Sequence, residues 1–144
     1  MLSSRAAVLF ESTVDALDLR QVLDRDGSFA EILQQAVDRT TGVPEVSVSW
    51  VHAHQGRFRF VDVREAAELE AEGSFEHAEH LPLSVFLSDV GAAGVDAETP
   101  TVVTCRAGGR SVRAVQALLH AGFPHVASMA GGMMAWKAAG LPTR

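Results

Sequence analysis

Short apolar segments and helical segments alternate along the chain after Pro44. Strands and helices that alternate in this way predict an α/β fold with a mostly parallel central sheet flanked by helices. In such folds, functional sites lie where the carboxyl ends of strands meet helix N-termini. The predicted strands, rich in β-branched and aromatic residues, are 58–63, 101–105 and 125–129. The predicted helices are 65–72, 111–121 and a segment around Trp136.

The first 44 residues follow a different pattern. Ser28 and Glu31 form a potential capping box, and apolar residues continue after them at helical spacing. The segment 40–44 (Thr-Thr-Gly-Val-Pro) then interrupts regular structure. We therefore predict an N-terminal helical extension over 1–44 and a separate domain over 45–144. The extension is expected to cover the domain core, and the alternative is that it forms a dimerisation or docking surface.

Composition and charge limit the classes of protein that this chain can be. Its 144 residues are 47% hydrophobic and 21% charged, which predicts an ordinary globular core and excludes a disordered chain. No stretch approaches the roughly 20 apolar residues of a membrane-spanning helix. The apolar run that ends at Glu11 is shorter than the core of a signal peptide, which has at least about 7 residues. We expect a soluble cytoplasmic protein without membrane association.

The net charge of −6 is unevenly distributed. All eighteen acidic residues lie in 1–98, whereas 99–144 contain five basic residues and no acidic one. An acidic protein is a poor nucleic-acid binder, and a local basic cluster fits a small anion better. The alternative is that folding intermixes the two halves.

The segment 105–111 carries the strongest indication of chemistry. It lies between a predicted strand and a predicted helix, so its backbone N–H groups can surround an anion at the helix N-terminus. Two adjacent glycines permit the tight turn, and two arginines lie nearby. This environment favours the thiolate form of Cys105 and therefore a nucleophile rather than a buried hydrophobic residue. Cys105 is also the single cysteine, which excludes an internal disulfide and a zinc site with paired thiolates.

The motif Cys105-x-x-Gly108-x-Arg110 at a strand-to-helix turn resembles the active-site loop of the rhodanese (thiosulfate sulfurtransferase) family. Three further elements resemble the family in order and approximate spacing: Asp62-x-Arg64, the 131–136 element Gly-Gly-x-x-Ala-Trp, and a terminal Gly-Leu-Pro at 140–142. The resemblance covers about residues 45–143. One element differs from the family pattern. The segment 73–82 stands where the family usually has a Gly-His-Ile-Pro-Gly-Ala stretch, and we expect this difference to affect substrate preference more than the fold.

The resemblance implies transfer of sulfane sulfur from thiosulfate, or from a persulfide donor, to cyanide or a thiol. Cys105 would be the nucleophile that becomes a persulfide, without any cofactor or metal. Arg110 is expected to contact the donor anion, and Arg106 either joins it or points into solvent. Asp62 and Arg64 are expected to support the loop. The substrate-binding set is expected to be Arg106, Ala107, Gly108, Gly109, Arg110 and Ser111.

Two other functions share part of this sequence pattern. Cysteine phosphatases use Cys-x5-Arg loops, whereas only four residues separate Cys105 from Arg110, so phosphate-ester chemistry is disfavoured. The second is a rhodanese-like module that carries or senses sulfur for a protein partner. It shares the persulfide and differs in whether the free protein turns over with a small acceptor.

The remaining conspicuous side chains are expected to be structural. His52 and His54, like His77 and His80, could each supply two metal ligands, but no clear third or fourth ligand is near them in sequence. Trp136 is expected to belong to the core rather than to a substrate wall.

Overall fold

The computed structural model describes residues 37–88, 94 and 98–144. Most of the predicted N-terminal helical extension therefore lies outside the described residues. Its last part, 37–44, is not helical, because the chain turns there and Val37 forms an antiparallel bridge with Pro44. From Glu45 onward, strands and helices alternate, as the sequence pattern predicts. The strands are β1 (Glu45–Val46), β2 (Arg59–Asp62), β3 (Glu79–His80), β4 (Thr101–Thr104) and β5 (Val126–Met129). The helices are α1 (Val48–Ala53), α2 (Ala66–Glu72), α3 (Leu83–Ser88), α4 (Gly109–His120) and α5 (Gly132–Ala138).

The five strands form one sheet in the order β1-β5-β4-β2-β3, and every pairing between them is parallel. The strand β4 lies at the centre and all four of its residues are buried. A parallel central strand has covered faces on both sides, which explains its run of Thr and Val without polar alternation. The fold is thus α/β with a parallel sheet flanked by helices.

Each face of the sheet carries its own hydrophobic cluster because successive strand residues point to opposite faces. Phe60 and Val102 belong to the first cluster, whereas their neighbours Val61 and Val103 belong to the second. The first cluster includes residues of α1 and α5, and the second those of α3 and α4. Cys105, at the end of β4, belongs to the second cluster.

Several predicted boundaries were wrong by one or two residues. The predicted strand 58–63 is shorter, the strands 101–105 and 125–129 each lose a residue, and the helix 65–72 begins at Ala66 after Glu65 as its N-cap. The helix predicted from Ser111 begins at Gly109, because Gly108 takes a φ of 110° and serves as the N-cap. The segment before residue 45 also contributes to the core, since Val43 is buried and Pro44 accepts a hydrogen bond from the Ser128 N–H at 2.8 Å.

Candidate active site

Cys105 lies directly after the central strand β4 and is only 1% exposed. Three residues separate it from α4, and of these Arg106 and Ala107 are exposed whereas Gly108 is buried. Gly108 needs its positive φ to begin the helix, and a Cβ there would lie 3.3 Å from the Gly131 nitrogen. Gly109, the first helical residue, is exposed. The loop therefore forms a tight turn, and the Cys105 side chain is buried within it.

The sulfur of Cys105 lies among hydrogen-bond donors. The backbone N–H of Gly108 donates to Sγ at 3.1 Å, and the N–H of Ser111 does so at 3.4 Å. The Ser111 hydroxyl oxygen lies 3.5 Å from the same sulfur. These donors belong to the first turn of a twelve-residue helix, whose N-terminal end is positive. The arrangement can stabilise negative charge on the sulfur.

A buried pair of hydroxyl groups continues this network away from the sulfur. Ser111 Oγ donates to the carbonyl oxygen of Gly108 at 3.1 Å and lies 2.7 Å from Ser128 Oγ. Both serines are fully buried. Sequence reasoning missed Ser128, although a serine in an otherwise apolar strand segment was a usable signal. Because Ser128 is paired in register with Val103 of β4, its side chain faces the same side of the sheet as the loop helix.

The two glycines before α5 bring that helix against the loop. The N–H of Met133 donates to the Cys105 carbonyl oxygen, and that of Met134 donates to the Arg106 carbonyl oxygen, both at 2.9 Å. A Cβ on Gly132 would collide with the Cys105 carbonyl oxygen and would lie 2.7 Å from the carbonyl carbon of Arg106. The loop backbone is thus held by α4 on one side and by α5 on the other.

Both arginines of the loop form ion pairs with carboxylates of α2. Arg110 donates from Nη1 and Nη2 to the two oxygens of Glu68, at 2.7 and 2.6 Å. Arg106 donates from Nε to Glu72, at 2.9 and 3.0 Å from the two carboxylate oxygens. The hydrogen bond from Arg110 is the main cause that lowers the pKa of Glu68 to about 2. The two residues expected to contact a donor anion are therefore each paired with an acid.

Asp62 and Arg64 form a buried ion pair at the end of β2. The Nε and Nη2 atoms of Arg64 donate to the Asp62 carboxylate at 2.8 to 3.1 Å, and Nη2 also donates to the Gly73 carbonyl oxygen at 3.0 Å. Through the contact with Gly73, the pair connects the end of β2 to the chain after α2. The guanidinium carbon of Arg64 also lies 5.5 Å from the centre of the Phe75 ring.

The segment 73–82, which departs from the family pattern, contributes to the core through Phe75. This side chain is 2% exposed and makes edge contacts with Phe60 and Trp136, at ring-centre distances of 5.2 and 5.1 Å. Trp136 is 1% exposed, which confirms its predicted place in the core. An apolar aromatic residue in this segment therefore contributes to the first hydrophobic cluster, which also contains residues of α1 and α5.

Three of the histidines have structural contacts. His54 stacks on Trp50, His52 contacts the edge of Trp136, and His80 Nε2 lies 2.6 Å from the Arg64 carbonyl oxygen. Within residues 37–88, 94 and 98–144, no three side chains of His, Cys, Asp or Glu are grouped as metal ligands. Over the same residues, no helix is both long enough and apolar enough to cross a membrane.

Comparison with known structures supports the fold. A rhodanese-related protein from Thermoplasma volcanium superimposes with a TM-score of 0.63 at 24% identity, over 69% of this chain and 96% of that chain. A thiosulfate sulfurtransferase from Pseudomonas aeruginosa gives a TM-score of 0.62 at 22% identity, over 81% of this chain and 22% of that chain.

Comparison of sequences identifies the family. A sulfurtransferase from Allochromatium vinosum is 34% identical over 82 residues, which are 57% of this chain and 74% of that relative. Thiosulfate sulfurtransferase 16, a chloroplastic protein of Arabidopsis thaliana, is 51% identical over 43 residues, or 30% of this chain, and the match spans only 36% of that relative's length. Residues 47–139 match the family profile of the rhodanese-like domain. The chain belongs to the rhodanese-like family.

Proposed function

We propose that the protein transfers sulfane sulfur through a persulfide on Cys105. The donor is thiosulfate or a persulfide, and the acceptor is a thiophile such as cyanide or a thiol. The observation that carries the proposal is the position of Cys105 Sγ, which accepts hydrogen bonds from the backbone N–H groups of Gly108 and Ser111 at the start of α4. The sulfurtransferases among its relatives support the same class of reaction.

The first half-reaction forms the persulfide. The Cys105 thiolate attacks the outer sulfur of thiosulfate, a new S–S bond forms, and the bond to the inner sulfur breaks with its electron pair leaving on sulfite. Gly109 and Arg110 lie in the first helical turn, where helix geometry supplies no intrahelical acceptor for their N–H groups. Those groups are suited to the negative charge of the transferred sulfur and of the leaving sulfite.

The second half-reaction needs an acceptor from outside these 144 residues. An acceptor anion attacks the outer sulfur of the persulfide, and the electron pair of the broken S–S bond returns to Cys105 as a thiolate. Cys105 is the one cysteine of the sequence, so an internal disulfide cannot release the sulfur. The catalytic cycle is therefore of the ping-pong type.

The intact mass of the purified protein tests this proposal. Incubation with thiosulfate alone is expected to add one sulfur atom to the wild type, and later addition of cyanide is expected to remove it as thiocyanate. Cys105→Ser is the control and should gain nothing. If neither thiosulfate nor a small organic persulfide adds sulfur to the wild type, the proposal is wrong.

A sulfur-carrier role is distinguished by the same experiment. A carrier would gain the sulfur atom and retain it in the presence of cyanide or a small thiol. Release would then require a protein acceptor. Turnover with a small acceptor would instead identify a free-standing enzyme.

A further inference from the structure

The positive charges of the active-site loop are already compensated. Each loop arginine donates to a carboxylate of α2: Arg110 to Glu68 through two parallel hydrogen bonds, and Arg106 to Glu72 through Nε. Arg106 also directs Nη1 toward Met134 Sδ, at 3.4 Å. Both guanidinium groups therefore already have partners within the protein. These two ion pairs form the rim of the site.

The spacing of the acids matches the spacing of the bases. Glu68 and Glu72 are four residues apart on α2 and so lie on the same face of that helix. Glu68 is also held from a second side, because its carboxylate accepts the N–H of Glu65 at 2.8 Å in a capping box. Its position thus has a support that is independent of Arg110, and the two pairs together leave the rim without net charge.

We propose that Glu68 and Glu72 determine donor specificity, by disfavouring the thiosulfate dianion relative to sulfane-sulfur donors that carry a single negative charge. This inference rests on the proposed persulfide chemistry of Cys105. The loop N–H groups can hold one anionic sulfur group without help from the arginines. A second negative charge on the donor would need a free guanidinium group. At this site, the guanidinium groups of the loop are already neutralised by carboxylates.

The expected size of the effect follows from Coulomb's law. The side chains of the Arg110–Glu68 pair are 33% and 25% exposed, and those of the Arg106–Glu72 pair are 47% and 28% exposed. Solvent partly screens the interaction between these side chains and a bound donor. Across a site of this width, we expect that interaction to change the rate about three- to tenfold for each additional charge on the donor. Salt should reduce the effect, since the Debye length is only about 8 Å at physiological ionic strength.

Two donors that carry the same kind of reactive sulfur but differ in net charge test this proposal. Thiosulfate is a dianion with sulfite as its leaving group, whereas methanethiosulfonate is a monoanion with methanesulfinate as its leaving group. The measured quantity is the ratio of the second-order rate constants for sulfur addition to Cys105, with thiosulfate in the numerator. We expect Glu68→Gln to raise this ratio about three- to tenfold and Glu72→Gln to raise it less, because Arg106 is more exposed. High salt should shrink both increases.

Glu70→Gln is the matched control. Glu70 is exposed on the same helix and takes part in neither ion pair, so this variant removes the same charge and should leave the ratio unchanged. A ratio that falls or stays constant in both Glu68→Gln and Glu72→Gln overturns the inference, because the carboxylates would then only position the arginines. Should Glu68→Gln fold poorly by circular dichroism, Glu72→Gln decides alone. Failure of both donors to add sulfur to the wild type is a different result, since it refutes the proposed function itself.

Discussion

At the scale of single residues, the chemistry of this site depends on where a few hydrogen atoms point. The Ser111 hydroxyl has three neighbours: the Cys105 sulfur at 3.5 Å, the Gly108 carbonyl oxygen at 3.1 Å and the Ser128 hydroxyl at 2.7 Å. A hydroxyl has one hydrogen to donate and can accept others. Because Ser111 donates its hydrogen to the Gly108 carbonyl oxygen, Ser128 donates to Ser111. Ser128 is therefore a positioning residue that acts on the loop through Ser111.

Replacing either serine by alanine should destabilise the protein in a coupled way. Each single variant leaves a buried hydroxyl short of a partner, which costs about 1 to 3 kcal/mol in free energy of unfolding. The double variant removes both members of the pair and should cost at least about 0.5 kcal/mol less than the two single effects added together. Urea denaturation of Ser111→Ala, Ser128→Ala and the double variant measures this coupling. Strict additivity would show that the two hydroxyls do not interact.

At the scale of secondary-structure elements, the loop depends on the close approach of α5. Gly132 has a φ of 53° and takes α5 within hydrogen-bond distance of the carbonyl groups of Cys105 and Arg106. No side chain fits between the two backbones. The residue is therefore required for two reasons, its backbone conformation and the absence of a Cβ.

Two glycine variants separate these reasons. Gly140 also has a positive φ, of 72°, but a Cβ there would meet no atom within 4 Å. Gly140→Ala should cost about 1 kcal/mol from backbone strain alone. Gly132→Ala should cost at least about 2 kcal/mol more, because the new methyl group must displace the loop, and it should also slow sulfur addition to Cys105. Equal thermal midpoints and equal rates for the two variants would contradict a structural role of this contact.

The sequence predicted the elements that carry a motif or a periodic pattern of apolar residues. It missed the short elements that form only through contacts with residues distant in sequence. The central strand, the helix after the loop and the buried Trp136 follow from local patterns of apolar residues. The two-residue strands β1 and β3 have no such pattern, because a pair of residues shows no periodicity, and they exist only by pairing with β5 and β2. The short helices α1 and α3 were missed for a similar reason.

Long-range partners of the site were equally invisible. Glu68 is 42 residues before Arg110, and Glu72 is 34 residues before Arg106. Local spacing therefore placed both arginines near an anion but carried no information about the acids that pair with them. Ser128 of β5 is 17 residues after Ser111 of α4. Residues that are distant in sequence and close in the fold complete this site.

At the scale of the whole molecule, acids with shifted pKa values make the stability depend on pH in opposite directions. The pKa of Glu68 is lowered to about 2 by its hydrogen bonds from Arg110, and the pKa of Glu79 is lowered by its hydrogen bond from Arg59 at 2.6 Å, which connects β2 with β3. The pKa of Glu45 is raised, because burial beside β5 outweighs its hydrogen bond from Thr41. The two signs separate ion-paired acids from a buried one.

The loss of stability in acid should therefore depend on Glu68. A carboxyl group with a lowered pKa in the folded state stabilises the protein above its unfolded pKa of about 4.5, and this contribution is lost as the pH falls toward about 2. In urea denaturation, Glu68→Gln should be less stable than the wild type at neutral pH, and the difference should shrink over that window. Glu45→Gln is the control of opposite sign, since protonation of Glu45 removes a cost of burial as the pH falls through its raised pKa. A constant difference between the wild type and Glu68→Gln at every pH would mean that the Arg110 pair does not hold the Glu68 carboxylate in its charged form. The rim of the active site would then not have the compensated charge on which the proposed donor specificity depends.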